Sequence, residues 1–375
     1  MKRILIVNNN LDIGGIQKSL VNLLRQVSGE YDITLLLFSR SGALMDGLPE
    51  NVRVITPKNR YRILGLGRNE LKKHPLLFAL KAILVQYAAV FSRRGAMRLL
   101  GVGQKPLGGY DAAISYSHLP HSRQFANGCG DFVLDKVRAD KKICFVHCDY
   151  SRAGNKSCQN NARYAEFDTV ACCSESVRQV FVSESGLDEN KVCTVYNFFD
   201  QTLPKQAEKA PCHMDDGYIN LVTVARLSPE KGIDTAISAL KDSGRQDIKY
   251  CVVGDGPQLH SLKRLAEACA LDGRVVFAGE TQNPYGLIKA ADYLLVPSRH
   301  EAAPMVFMEA SALGVPVISS DTLSARELLK GEDIIYSDAY ELENILGTLE
   351  KRAKGTPTVP DNKLQAAQFE ALLKK

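Results

Sequence analysis

Residues 219–256 read INLVTVARLSPEKGIDTAISALKDSGRQDIKYCVVGDG. An apolar, β-branched run is followed by a Ser/Pro/Gly turn, a helical stretch and a second apolar run. Continuous apolar runs without polar alternation are the pattern of strands buried on both faces, and strands alternating with helices pair in parallel. Further along, RVVFAGE, DYLLVPS, VPVISSD and DIIYS repeat the pattern. In the first half ILIVNN, DITLLLF, VRVI, DAAISY, KICFVH, DTVACC and KVCTVYN do the same. Between the two sets, residues 201–217 (QTLPKQAEKAPCHMDDG) are polar and Pro-containing with no periodicity, the character of a linker. Two doubly wound parallel-sheet domains are therefore expected. Their strands' carboxyl ends would face a shared cleft, the usual ligand position for such sheets.

Length agrees, since 375 residues exceed what one core usually holds. With 45% hydrophobic and 24% charged residues, composition excludes disordered, collagen-like and coiled-coil chains. The ten cysteines include no C-x-x-C pair and no zinc-type spacing. Several sit in apolar runs as small hydrophobes, which suits a reducing cytoplasm. The start, MKRILIVNN, has too short an apolar run for a signal-peptide core. Residues 76–91 contain Lys81 and Gln86 and are too few for a spanning helix, so no transmembrane helix is expected.

The net charge of +5 is unevenly spread: residues 51–110 hold twelve Lys/Arg against one acid, Glu70. Cations there alternate with Leu, Ile, Phe and Tyr, as in LLFALKAILVQYAAVFSRRGAMRLL. Two readings stand: a basic 58–105 segment resting on an anionic membrane surface, or an insertion whose apolar stripe packs on its own domain. Nucleic acid is not expected as a partner.

Chemistry concentrates where strands end. After the first run, Gly14 and Gly15 precede an amphipathic helix, and two glycines before a helix N-terminus let a phosphate or hydroxyl oxygen approach backbone amides. A tight turn reads equally well there. The dinucleotide fingerprint G-x-G-x-x-G is absent, which counts against a dehydrogenase. In VARLSPEKG, Arg226 and Lys231 flank a loop, a fork and a point charge able to neutralise a diphosphate, or else two solvated charges. In SRHEAAPMVFMEASALGVPVI, Glu301 and Glu309 on one helix would lie about 80° and 12 Å apart. Pro304 instead predicts that Glu301 precedes the helix while Glu309 lies within it. The amides of Met305 and Val306 would then suit an anionic oxygen, with two carboxylates nearby for sugar hydroxyls.

Taken together these segments resemble the family-4 retaining glycosyltransferases, also described as glycosyl transferases group 1, whose GT-B fold has two Rossmann-like domains facing across a cleft. The resemblance rests on GGIQKSLVNLL, VACCSESVRQ, VYNFFD, VARLSPEKGID, VVGDGPQ, FAGE, ADYLLVPSRHEAAPMVFMEASALGVPVI and SAREL. It implies an acceptor-binding domain over 1–200, the linker over 201–217, a nucleotide-sugar domain over 218–360 and a terminal helix over 361–375, whose return to the first domain stays open. It implies that Arg226 and Lys231 hold a nucleotide diphosphate, Glu309 the ribose and Glu301 the donor sugar. His147 would lie near the reaction centre, with Gly14 and Gly15 in the loop approaching phosphate and acceptor. Ala302 and Ala303 depart from the Gly and Phe common in this family, which leaves donor identity open. His118, His121, Arg123 and Arg152 are candidate acceptor contacts.

The activity implied is hexosyl transfer from a nucleotide-diphosphate sugar, UDP-sugar preferred, to a lipid-linked oligosaccharide in surface polysaccharide synthesis. The enzyme would sit on the inner face of the cytoplasmic membrane. No two aspartates stand two residues apart, so a D-x-D metal motif is missing; no metal and no cofactor are expected. A GT-B epimerase and a non-catalytic sugar-nucleotide-binding partner subunit are the alternatives.

Overall fold

The computed structural model describes residues 1–210, 212, 214–351 and 355–374. Positions 211 and 213 of the expected linker, 352–354 of the expected second domain, and 375 lie outside the described residues. The chain forms two compact units: Met1–Phe198 with Asn362–Lys375, and Phe199–Asp361.

The first unit holds a sheet of seven parallel strands: β1 Arg3–Asn8, β2 Asp32–Leu37, β3 Arg53–Ile55, β4 Leu107–Ser115, β5 Val137–Val146, β6 Thr169–Cys172 and β7 Val192–Thr194, in the order β3-β2-β1-β4-β5-β6-β7. The second holds six: β8 Ile219–Val224, β9 Ile248–Val253, β10 Val275–Gly279, β11 Tyr293–Val296, β12 Val317–Ser320 and β13 Ile334–Tyr336, in the order β10-β9-β8-β11-β12-β13. Each of the thirteen apolar runs quoted above is a strand. Both sheets reverse direction of winding beside their first strand. Ile4 pairs with Ile33 on one side and Ala112 on the other, and Leu221 with Tyr250 and Tyr293. In doubly wound sheets this switch point leaves an open crevice at the strands' carboxyl ends.

The strands read as continuous apolar runs because helices cover both faces. In the second unit the two faces carry separate cores, one around Leu221, Tyr250 and Ile318 and one around Val222, Leu294 and Phe307. In the first unit Leu20, Leu23 and Leu24 of the helix Gly15–Val27 pack on Ile4 and Ile6, and Phe369 and Leu372 of the terminal helix Lys363–Lys374 join the same core. Burying each such side chain is worth about 1.5–3 kcal/mol.

Two expectations need correction. The segment read as an aperiodic linker contains the helix Leu203–Lys209, with proline in its first turn. Its Leu203 and Ala207, one turn apart, are buried in the second unit's core. The basic 58–105 segment is not uniformly a surface either. Arg93 is 3% exposed, and Lys81, on the helix Pro75–Val90, has its ammonium pKa lowered by burial. No helix among the described residues is long and apolar enough to cross a membrane, and all ten cysteines are free thiols.

Candidate functional site

In the second unit the loops after β8 and β11 meet at the switch point. Gly232, at φ +62°, closes the turn after Lys231, and a Cβ there would overlap the Pro297 carbonyl oxygen. Only glycine fits both the left-handed backbone and the close approach. Arg299 fastens the two loops from the other side: its guanidinium donates to Pro229 O and to Asp234 Oδ2 at 2.6 Å, and its amide donates to Glu230 O at 2.8 Å.

That clamp brings Lys231 to Glu301, 70 positions away, as an ion pair between Lys231 Nζ and Glu301 Oε1. Ser298 Oγ donates to the same carboxylate oxygen at 2.9 Å, and Ser320 Oγ, at the end of β12, holds Ser298 O at 2.5 Å. The pair is mostly buried, with side-chain exposures of 23% and 17%. Arg226 is exposed on the same loop. Burial pushes the Glu230 carboxyl up, but the Ser228 hydrogen bond and the Lys231 and Arg226 charges bring it below its ordinary value.

Glu301 lies in the loop and the helix Met305–Leu313 follows it, with Pro304 at the N-cap. No side chain caps this helix, so the first-turn amides of Met305 and Val306 are directed out of its positive end. Glu309, 2% exposed, is inside the helix. Arg226, Lys231, Glu301 and the start of this helix thus occupy neighbouring loops at one end of one sheet.

In the first unit the corresponding strand ends carry a different set. The helix Gly15–Val27 has Gly14 at its N-cap and no side-chain cap. Gly14 is extended, at φ 178°, a conformation open to any residue, so the glycine pair is not demanded by a left-handed turn. A Cβ at Gly14 would lie 2.6 Å from Gln17 Oε1, the flexible end of a side chain. Ser117 donates to Asn8 Oδ1 at 3.3 Å and Asn10 Nδ2 to Gly65 O at 2.6 Å, so the basic insertion crosses the end of β1.

His118 and His147 follow the adjacent strands β4 and β5. Tyr116 and Phe145 flank the His147 ring at centroid distances of 5.0 and 5.6 Å, the latter stacked at 15°. His118 Nδ1 and His147 Nε2 are closed to solvent and have no hydrogen-bond partner among the described residues. Desolvation lowers the His147 ring to about 3, with the His118 charge adding to it, and desolvation lowers His118 to about 4. Desolvation thus favours the neutral form of both rings.

Of the proposed acceptor contacts, Arg123 and Arg152 are exposed. The Arg123 amide donates to His121 Nδ1 at 3.2 Å, and the Arg152 amide bonds to Asp149 Oδ1 at 3.3 Å. The loop carrying His118 and His121 is held from below by Arg93. Its amide donates to Ser122 O at 2.8 Å and its Nη1 to Pro120 O, while Asp131, itself shared with Arg163, balances its charge. Arg299, Ser298 and Arg93 were not singled out from the sequence. The only local hint was that Arg299 and Ser298 stand just before Glu301. No group of three or more His, Cys, Asp and Glu among the described residues is placed to hold a metal ion.

Comparison with known proteins gives a family match over residues 205–341, to the Glycosyl transferases group 1 model. The chain is 27% identical over 220 residues to the alpha-monoglucosyldiacylglycerol synthase of Streptococcus pneumoniae, covering 55% of this chain and 49% of that protein. It is 36% identical over 107 residues to the O-antigen biosynthesis glycosyltransferase WclY of Escherichia coli, covering 28% and 30%. The matches thus span about half or less of these curated relatives. Among solved structures, HepE of Anabaena in complex with UDP-glucose superposes with a TM-score of 0.65 at 19% identity, over 100% of this chain and 95% of that one. TarM of S. aureus superposes at 0.63 with 11% identity, over 100% and 96%. At these identities the likeness speaks for the fold.

Proposed function

We propose that the chain, whose residues 205–341 match the Glycosyl transferases group 1 model, is a retaining hexosyltransferase taking a nucleotide-diphosphate sugar, UDP-sugar by preference, as donor. The observation that carries this reading is the convergence of Arg226, Lys231, Glu301 and the uncapped helix Met305–Leu313 at the switch point of the second sheet.

Each group has a job there. Arg226 can grip a diphosphate in a fork and Lys231 can neutralise it as a point charge. The amides of Met305 and Val306 add donors aimed at anionic oxygen. Charge accumulates on the leaving diphosphate as the anomeric carbon departs, and preorganised donors there are worth roughly 3 kcal/mol each. These cations do the work a divalent metal could do, so activity is expected to survive EDTA. Glu301 accepts from donor-sugar hydroxyls and Glu309 from the ribose. Retention follows if the leaving phosphate deprotonates the incoming hydroxyl on the face it vacates. His147, neutral at working pH, would act at the sugar as a hydrogen-bonding group rather than a cation. Gly14 and Gly15 leave the first helix's amides open toward phosphate or acceptor. HepE was solved with UDP-glucose bound, which supports a UDP-sugar donor here.

The acceptor is proposed to be lipid-linked, met at the inner membrane surface in surface-glycan synthesis; relatives named for diacylglycerol glucosylation and O-antigen synthesis support this. Leu76, Ile83 and Val90, at sevenfold spacing on the helix Pro75–Val90, are 88%, 66% and 58% exposed. Lys72, Lys73, Arg94 and Arg98 flank that stripe and are exposed. An apolar stripe edged by cations suits an anionic lipid surface.

The test is thermal stabilisation against a panel of nucleotide sugars, since a ligand at 100 times its dissociation constant adds about 2.7 kcal/mol. A donor-dependent shift that vanishes in Lys231→Ala supports the reading. Consumption of donor at full rate without any acceptor would favour an epimerase instead.

A further inference from the structure

The basic insertion also encloses a cavity of about 390 Å³ that none of the roles above uses. It lies in the first unit, between the carboxyl end of the helix Arg93–Leu100 and that of the helix Cys129–Lys136. Tyr61, Met97, Val102 and Phe132 supply an apolar and aromatic wall; Arg98 and Lys136 supply two cations.

The charge balance decides what fits. Asp131 and Asp135 line the cavity too, but both are already matched. Asp131 is paired with Arg93 at 2.9 Å and Arg163 at 3.2 Å, and Asp135 with Arg163 at 2.7 Å. Arg98 and Lys136 form no ion pair among the described residues; each stands in the last turn of its helix, whose carboxyl-end dipole offsets part of its charge, and the balance of side-chain charges stays positive once Arg93 and Arg163 are counted against the two aspartates. The mouth is greasy: Val102 lines it and is exposed, as are Leu99 and Phe91 nearby in the chain.

We propose that this cavity binds the phosphate end of an amphipathic lipid, the phosphate held between Arg98 and Lys136 and the chain leaving over Val102 and Leu99. The size fits: small-molecule sites are clefts of about 300–1,000 Å³ that combine apolar walls with a few placed polar groups. A free phosphate would satisfy the cations but leave the apolar wall without an occupant. The inference deepens the lipid-acceptor reading and rests on it, since it gives the membrane-facing insertion a specific lipid contact.

The chain contains no tryptophan, so Leu99→Trp places a single reporter beside the mouth. Its emission is titrated with dihexanoyl phosphatidic acid below its micelle concentration, and in parallel with inorganic phosphate. The expected result is a saturable shift with the lipid phosphate, weakened about tenfold or more when Arg98→Gln and Lys136→Gln are added. Lys136→Arg alone should retain binding, which guards against a fold defect in the double variant. An unchanged midpoint in the double variant overturns the proposal. So does a linear, unsaturable response, and so does inorganic phosphate acting at the same concentration, which would make this a free-phosphate site. No donor enters this titration. A failed titration with intact nucleotide-dependent stabilisation removes the pocket alone, and loss of nucleotide stabilisation with a normal titration removes the donor reading alone.

Discussion

Lys231 and Glu301 form an ion pair that joins the loop after β8 to the loop after β11, with Ser298 donating to the same carboxylate oxygen at 2.9 Å. The pair gives Lys231 a partner within the protein, so on the proposed reading a donor diphosphate would compete with Glu301 for one ammonium. Glu301→Gln is therefore expected to leave UDP affinity unchanged or raise it, while removing the extra affinity that the sugar contributes. Lys231→Ala should weaken UDP and UDP-sugar alike, by about 1.5–3 kcal/mol for a lost charged hydrogen bond. Titration calorimetry with UDP and UDP-glucose separates the two; equal losses for both ligands in Glu301→Gln would contradict the sugar role.

The part-buried rings of His118 and His147, each with one nitrogen closed to solvent, predict an acid sensitivity. Both are held below the ordinary imidazole value, to about 4 and about 3, so in the unfolded chain each takes up a proton near pH 6.5 that the folded chain refuses. Stability is thus full above about pH 6.5 and falls as pH drops toward the folded values, by up to about 1.4 kcal/mol per pH unit for each ring. Urea midpoints measured from pH 7.5 to 4.5 should fall less steeply in His118→Gln than in the parent. The parent slope in that variant would show that the ring is solvated.

Asp131 offers a test of what holds the His118–His121 loop. It is fully buried between Arg93 and Arg163, each 3% exposed. Asp131→Ala leaves the buried Arg93 without its carboxylate and takes one of three from Arg163, and should cost about 3–5 kcal/mol. Glu166→Ala removes a partner 40% exposed, bonded to Arg163 and Arg94, and should cost about 1 kcal/mol or less. Denaturant unfolding of the two variants checks the order.

Much of this was legible in the sequence, and for a physical reason. A strand covered on both faces must be apolar throughout, so INLVTVARL and DYLLVPS announce themselves without reference to any other segment. Pro304 likewise marks where a helix begins, which separates Glu301 in its loop from Glu309 in its helix. What could not be read depends on distant partners. Arg93 looks like one more cation in a basic run, and only Asp131, 38 positions on, makes it a buried strut. Arg299 gives no sign that it will clamp the SPEKG loop. The helix Leu203–Lys209 offers one turn of spacing, Leu203 to Ala207, too little to show as a period. His147 read as a solitary strand-end histidine because its neighbour His118 follows a different strand.

The exposed stripe of the helix Pro75–Val90 predicts a surface effect without a stability effect. Replacing Leu76, Ile83 and Val90 together with Ser should sharply reduce sedimentation with anionic vesicles. Because these side chains are largely in water, unfolding free energy should move by only about 0.5 kcal/mol per site. Equal partition of parent and variant would place the membrane contact elsewhere.

The central claim is that the second unit grips an activated sugar by its phosphates at the carboxyl ends of β8 and β11. A crystal structure of the chain with UDP-glucose measures this directly. The account predicts the diphosphate within hydrogen-bonding distance of Arg226 and Lys231, beside the amides of Met305 and Val306, with the ribose at Glu309. A donor molecule bound away from these five residues, with Lys231 still paired to Glu301, would contradict it.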